Sequence, residues 1–217
     1  MRAALFGLAL LASPATAQQV LYEPPPPPGA AQVRFVNGAA APVTLRPSFG
    51  AAVTLGVTPG ERIGRYSVVP AVAGKSFTLS VGSQQLPLTL PPNSQVTVVL
   101  VAEGAGLRAQ AITDEVEFNQ TRARLRFYNA TPGCAGAGLA VQPAGTRVFA
   151  DVPPGEARMR AVNPVTAEVL AGCANGQAPV VPLRGLEVGA GYSIWLMSPG
   201  GALTAFITAD GNKPYAP

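Results

Sequence analysis

Apolar and polar residues alternate with a period of two along much of the chain. Phe77, Leu79 and Val81 take turns with Ser76, Thr78 and Ser80, which puts the apolar set on one face of a pleated strand. Val96, Val98 and Leu100 alternate with Thr97, Val99 and Val101, so that strand is expected to be covered on both faces. Turn signals interrupt these runs at Asn37-Gly38, Pro47, Pro59-Gly60, Gly74, Gly82, Pro91-Pro92 and residues 104–106. Their spacing, about 8–12 residues, is that of short strands packed as a β-sandwich. No stretch carries the 3.6-residue period of a useful amphipathic helix.

The pattern also repeats. Val33-Arg34-Phe35-Val36-Asn37 matches Leu125-Arg126-Phe127-Tyr128-Asn129, and Val57-Thr58-Pro59-Gly60-Glu61 matches Val152-Pro153-Pro154-Gly155-Glu156. Residues 79–83 align with 169–173, and residues 96–114 with 192–210. Four blocks in one order, offset by 90 to 96 positions, point to internal duplication of a unit too long for a solenoid repeat. The expected fold is all-β: two tandem antiparallel β-sandwich domains, Ig-like or jelly-roll-like, at residues 31–114 and 122–210. A short joint lies between them, near residues 114–121.

The ends differ in character. Met1-Arg2, an apolar run at residues 3–12 and the small residues Ala15 and Ala17 have the layout of a signal peptide over residues 1–17. Ten apolar residues fall short of the roughly 20 that span a bilayer, so the mature chain is not expected to be membrane-embedded. Residues 18–30 form a Pro-rich arm. Its five prolines at 24–28 should extend as polyproline II.

Composition narrows the chemistry. With 24 Gly and 23 Pro against 15 Lys+Arg and 11 Asp+Glu, helical bundles are disfavoured, and an apolar fraction of 48% disfavours disorder. A net charge of +4 is too mild to argue for nucleic acid. There is no histidine, which removes Ser-His-Asp triads, Cys-His dyads and His-based metal sites. The two cysteines, Cys134 and Cys173, are expected to form one disulfide in an exported protein. No metal or cofactor site is expected.

An acyl-serine enzyme needs an activated serine and a base. None of the nine serines lies in a G-x-S-x-G elbow, and the lysines are only Lys75 and Lys213. Lys75 and Ser76 are strand neighbours and should point to opposite faces. No carboxylate forms a recognisable constellation with a serine, so no catalytic residue is expected. Tyr22, Tyr66, Tyr128, Tyr192, Tyr215 and Trp195 could stack on sugar rings, although the apolar strand around Trp195 favours core packing.

Arginines are the more suggestive feature. Arg122, Arg124 and Arg126 alternate with Ala123, Leu125 and Phe127, which should place three guanidinium groups on one strand face at steps of roughly 6.6–6.8 Å. Arg34 holds the repeat-equivalent place of Arg126, and Arg158 and Arg160 form a second alternating pair. Two readings stay open. Such a row could clamp carboxylates of a polyuronate or an acidic partner, or it could be a solvated face that discourages edge-to-edge aggregation.

Leu21-Tyr22-x-Pro24, then Gly29 and Val33-Arg34-Phe35-Val36-Asn37, resembles the start of the mature AlgF family. Gly82-Ser83-Gln84-Gln85-Leu86-Pro87 is similar to a further segment of that family. These are periplasmic proteins of alginate O-acetylation, and related proteins accompany acetylation of bacterial cellulose. The resemblance implies a periplasmic protein working beside a membrane-bound O-acyltransferase and a periplasmic SGNH-type acetyltransferase. Together with the missing base, it leads to a non-catalytic accessory or scaffold protein that docks those enzymes. The alternative is a carbohydrate-binding module that contacts the polymer through the arginines.

Overall fold

A computed structural model of the chain describes residues 25–117 and 120–215. The expected signal peptide and the Leu21-Tyr22 part of the arm lie outside the described residues. Where the arm is described it ends in a turn, with Ala30 N–H on Pro27 O at 3.1 Å and Gly29 N–H on Asn93 Oδ1 at 2.8 Å.

The first half contains β1 (Ala31–Asn37), β2 (Val43–Pro47), β3 (Val53–Leu55), α1 (Pro59–Arg62), β4 (Ser67–Val69), β5 (Phe77–Val81), β6 (Gln84–Leu88), β7 (Ser94–Glu103) and β8 (Gly106–Thr113). One of its sheets has the order β4-β1-β7-β8 and the other β3-β2-β5-β6. The second half contains β9 (Ala123–Asn129), β10 (Ala137–Gln142), β11 (Thr146–Val152), β12 (Ala157–Val162), β13 (Ala167–Cys173), β14 (Gly176–Gln177), β15 (Val181–Leu183), β16 (Gly191–Met197) and β17 (Thr204–Ala209). Its sheets run β12-β9-β16-β17 and β11-β10-β13-β14, with β15 also against β13. The two halves share one strand order.

Two expectations need correcting. The sheets are not purely antiparallel, because β1 runs parallel to β7 and β9 parallel to β16. In each half the chain leaves the first strand, builds the opposite sheet and returns, and such a crossover permits the parallel pairing that a tight hairpin forbids. The second correction is local: Pro59-Gly60 opens a single helical turn rather than a plain one. Proline suits the first helical position, and the Glu61 carboxylate accepts from Thr58 N–H at 3.4 Å.

Strand alternation decides what each face meets. In β1, Val33 and Phe35 enter the first core while Val36 turns the other way. In β9, Leu125 and Phe127 enter the second core while Tyr128 turns away. The away-facing residues form a third cluster, with Val36, Val99, Val101 and Ile112 against Tyr128, Ala130, Trp195, Met197 and Phe206. The two inner sheets therefore pack face to face, and the sandwiches are joined along a seam. Double coverage of residues 96–101 is explained by this seam.

Backbone bonds reinforce the seam at one side. Tyr66 N–H donates to Gly211 O at 3.0 Å, and Lys213 N–H donates to Tyr66 O at 2.7 Å. At the opposite side Gly155, with φ +76°, lies under Gln110 of β8. A Cβ there would push the Gln110 side chain aside, and the positive φ, which L side chains rarely adopt, is what calls for glycine.

Cys134 and Cys173 are bonded, as expected, across a separation of 39 residues. Cys134 is buried in the second core. The loop-closure model assigns such a link up to about 4 kcal/mol. Native protein should therefore show no thiol to a labelling reagent, and two after unfolding with reductant. Replacing both cysteines by serine should lower stability in chemical denaturation, with hydrogen exchange rising in residues 130–183 more than in residues 31–101.

Candidate functional site

Arginines placed on the seam faces of β1 and β9 define the chemical centre of the molecule. Arg34 has a relative exposure of only 1%. Its Nε donates to Thr97 Oγ1 at 2.9 Å, and its Nη1 donates to Asp210 Oδ1 at 2.6 Å. Its Nη2 donates to Tyr128 Oη at 2.7 Å and Ser193 Oγ at 3.0 Å. Three rings enclose the guanidinium carbon: Tyr66 at 4.4 Å, Trp195 at 4.9 Å and Tyr128 at 5.3 Å from centroid. A desolvated cation over ring faces gains further electrostatic attraction.

Both halves contribute the same pair. Thr97 on β7 donates to Asp114 Oδ2 at 2.6 Å, and Ser193 on β16 donates to Asp210 Oδ1 at 2.6 Å. Each hydroxyl lies 17 residues before its carboxylate, because each strand is followed by a hairpin partner that returns beside its start. Asp114 also accepts from Tyr128 and from Tyr66, the latter at 2.8 Å. Asp210 is held between Arg34 and Arg126, at 2.6 and 3.2 Å. Two arginines and two aspartates thus balance in the seam. Burial without partners would be prohibitive, and with them each charge is compensated.

Burial pushes the Tyr66 and Tyr128 phenols well above the usual tyrosine range. For Arg34, burial works against the charge, but the electrostatic pull of Tyr128, Tyr66, Asp210 and Asp114 outweighs it and raises the pKa. Arg126 follows the same balance.

The arginines expected on one exposed face are divided by the structure. Arg122 is exposed but precedes β9. Arg124 and Arg126 do share a face, yet it is the seam face, and Arg126 is buried with Nη2 on Glu115 O at 2.7 Å. Arg34 has no accessible surface to offer a ligand. The alternation was sound; the cover came from the facing sheet. Arg158 and Arg160 are both exposed on β12. They stand beside Phe127 and Leu125 in register and so lie on the opposite face from Arg126.

Serine chemistry needs a correction as well, since Ser193 does meet a carboxylate. That hydroxyl is buried, and both oxygens of Asp210 are already engaged by the guanidinium groups of Arg34 and Arg126. Trp195 stacks on Tyr128 at 4.1 Å and an angle of 11° and is fully buried, so it packs rather than binds sugar. Tyr192 anchors a loop through Gly185 O and Glu187 N–H, both at 3.0 Å.

Sequence reasoning missed Thr97, Asp114, Ser193 and Asp210. The signal was available: Thr97 aligns with Ser193 and Asp114 with Asp210 in the repeat, and Arg34 aligns with Arg126. Asn37 and Asn129 form another matched pair. Asn37 donates to Ala41 O and Gly56 O at 2.9 and 2.8 Å, and Asn129 to Cys134 O and Val152 O, both at 2.9 Å.

Below the charged cluster the seam opens as a groove of about 400 Å³. Gln32, Gln95, Arg124, Arg126 and Asn212 line it, and Pro26 and Pro27 of the arm flank it. Glu117 and Val116 also line it, so its polar groups can hydrogen-bond a hydroxylated ligand while a carboxylate stands beside the arginines. Among the described residues no His/Cys/Asp/Glu group has the makings of a metal site. No described helix is long and apolar enough to cross a membrane.

Fold and site define a double β-sandwich with a buried, charge-balanced seam and a stapled second half. The chain belongs to the AlgF family, described as alginate O-acetyl transferase AlgF, whose model matches residues 3–191. Membership ties it to alginate O-acetylation. No individual curated protein matches the chain.

Two outcomes follow from the cluster. Replacing Arg34 by Met should cost about 3–5 kcal/mol in chemical denaturation, because Asp210 and three hydroxyls lose their shared donor. Raised tyrosine pKa values favour the neutral phenol in the fold. Their stabilisation is complete below the ordinary tyrosine pKa of about 10 and is lost as pH rises beyond it. Phenolate absorbance should therefore lag for two tyrosines until the protein unfolds in alkali.

Proposed function

We propose that this chain is a non-catalytic accessory protein of alginate O-acetylation that docks the enzymes of that process. Its partners are a periplasmic SGNH-type acetyltransferase and a membrane-bound O-acyltransferase, and its compartment is the periplasm. The N-terminal signal pattern and the disulfide support that location. The matched strand orders, matched asparagines and matched Thr/Ser–Asp pairs support an origin by internal duplication of one sandwich.

The observation that carries the non-catalytic reading is the state of Ser193. An acetyl-serine intermediate needs an accessible hydroxyl and a base able to take its proton. Ser193 is buried, accepts a hydrogen bond from Arg34, and faces a carboxylate already engaged by two arginines. What the chain offers outward is strand edges and exposed arginine. The polar groove beside Arg124 favours a second reading, direct contact with the polyuronate; salt-sensitive binding of purified protein to the polymer would support it.

Removing the gene from an alginate-producing host should strip acetyl esters from the polymer while polymer export continues. Complementation with Ser193→Ala should restore acetylation. Intact mass after incubation with an activated acetyl donor should show no added acetyl group. A serine-linked acetyl group that passes to sugar would replace the docking reading with an enzyme.

A further inference from the structure

Among the described residues β12 is an edge strand with a partner on one side only: its six residues pair with β9 from Ala157–Tyr128 to Val162–Ala123. The phase of that ladder is set by Asn129 N–H donating to Glu156 O at 3.0 Å. Because hydrogen-bonded pairs alternate in an antiparallel ladder, Arg158 and Arg160 direct their backbone toward β9. Ala157, Met159 and Ala161 direct theirs outward. The Arg158 guanidinium bonding to Ala157 O at 3.1 Å marks that carbonyl as accessible.

At the equivalent edge of the first half the chain itself occupies the entry to the strand. There β4 is only three residues long, and the segment before it departs to pair through Tyr66 with the C-terminal stretch at Asn212. α1 packs against β17 on the same side. One strand order thus yields a short edge capped at Tyr66 by the C-terminal stretch and, in the second half, a longer edge that displays two arginines two residues apart.

We propose that β12 is a docking edge that adds an extended acidic segment of a partner protein as a further strand. The inference rests on the docking reading and specifies its surface. An added strand would bond to the outward groups of Ala157, Met159 and Ala161, as in strand-addition complexes. Its residues opposite Arg158 and Arg160 share their face, and carboxylates there complete cross-strand ion pairs. The residue between them lies beside Met159, which is half-buried. The segment recognised is therefore acidic–apolar–acidic. Glu156 already engages Arg158 at 2.8 Å, but with both side chains 47% exposed a surface pair of that kind is readily exchanged.

The test uses the full isotopically labelled chain and a synthetic peptide of alternating glutamate and valine, with a lysine–valine peptide as control. The acidic peptide should shift the amides of Ala157, Met159 and Ala161 and slow their hydrogen exchange. The double variant Arg158→Glu/Arg160→Glu, verified as folded by circular dichroism, should bind on the order of tenfold more weakly. Arg158→Gln/Arg160→Gln should fall between. Shifts confined to other strands, equal binding by the charge-reversed variant, or equal binding of the lysine peptide would overturn the proposal. So would variants that self-associate while peptide binding is unchanged, since the arginines would then only guard the edge. Capture of a co-expressed SGNH-type acetyltransferase separates the two levels. Capture by wild type and double variant alike overturns the edge and keeps the docking reading. Peptide binding at β12 with no capture by wild type keeps the edge and overturns that reading.

Discussion

Arg34 is where the two sandwiches converge, and its burial sets the terms for everything around it. A guanidinium cannot leave water unless its charge is balanced and its donors are satisfied. It lies on a strand of the first half, yet its counter-ion Asp210 and two of its hydroxyl acceptors belong to the second. The halves therefore cannot separate without exposing apolar seam surface and breaking a compensated charge pair together. Aromatic rings from both sides, Tyr66 from one and Tyr128 and Trp195 from the other, complete the enclosure.

That same arrangement consumes the chemistry the molecule might otherwise present. Asp210 engages both arginines, Asp114 serves three hydroxyl donors, and Ser193 is locked between a donor and an acceptor. Such a network gives geometry to the seam and leaves little for a substrate. Under the docking role proposed above, contact would fall to strand edges and to the arginines that remain in solvent.

Similar halves are not equivalent halves. The strand order is shared, but the C-terminal stretch caps one short edge at Tyr66, while the disulfide staples only the other half. Gly155, at a positive φ, lies beneath the Gln110 side chain of β8 at the start of the second half's edge strand. Where a repeat keeps its core and changes its edges, the core carries the fold and the edges are free to take on separate tasks.

Much of this was legible in the residues. Period-two alternation, regular turn signals and the offset repeat pointed to an all-β chain of two sandwiches, and the expectation of export pointed to the Cys134–Cys173 disulfide that the structure holds. Alternation even placed Arg34 opposite Val33 and Phe35, and Arg124 with Arg126. What alternation cannot say is what covers a face. A strand's own sequence tells which side chains share a side, but burial depends on whether another sheet arrives there. Arg126 reads in sequence like a solvated surface residue and becomes an interior ion because β16 and β17 bring Asp210 to it. Parallel pairing of β1 with β7 was equally invisible, since it depends on where the chain returns after building a second sheet. The sequence by itself determined the faces; only the tertiary structure decided which of them meet water, because contacts between distant strands belong to no local pattern.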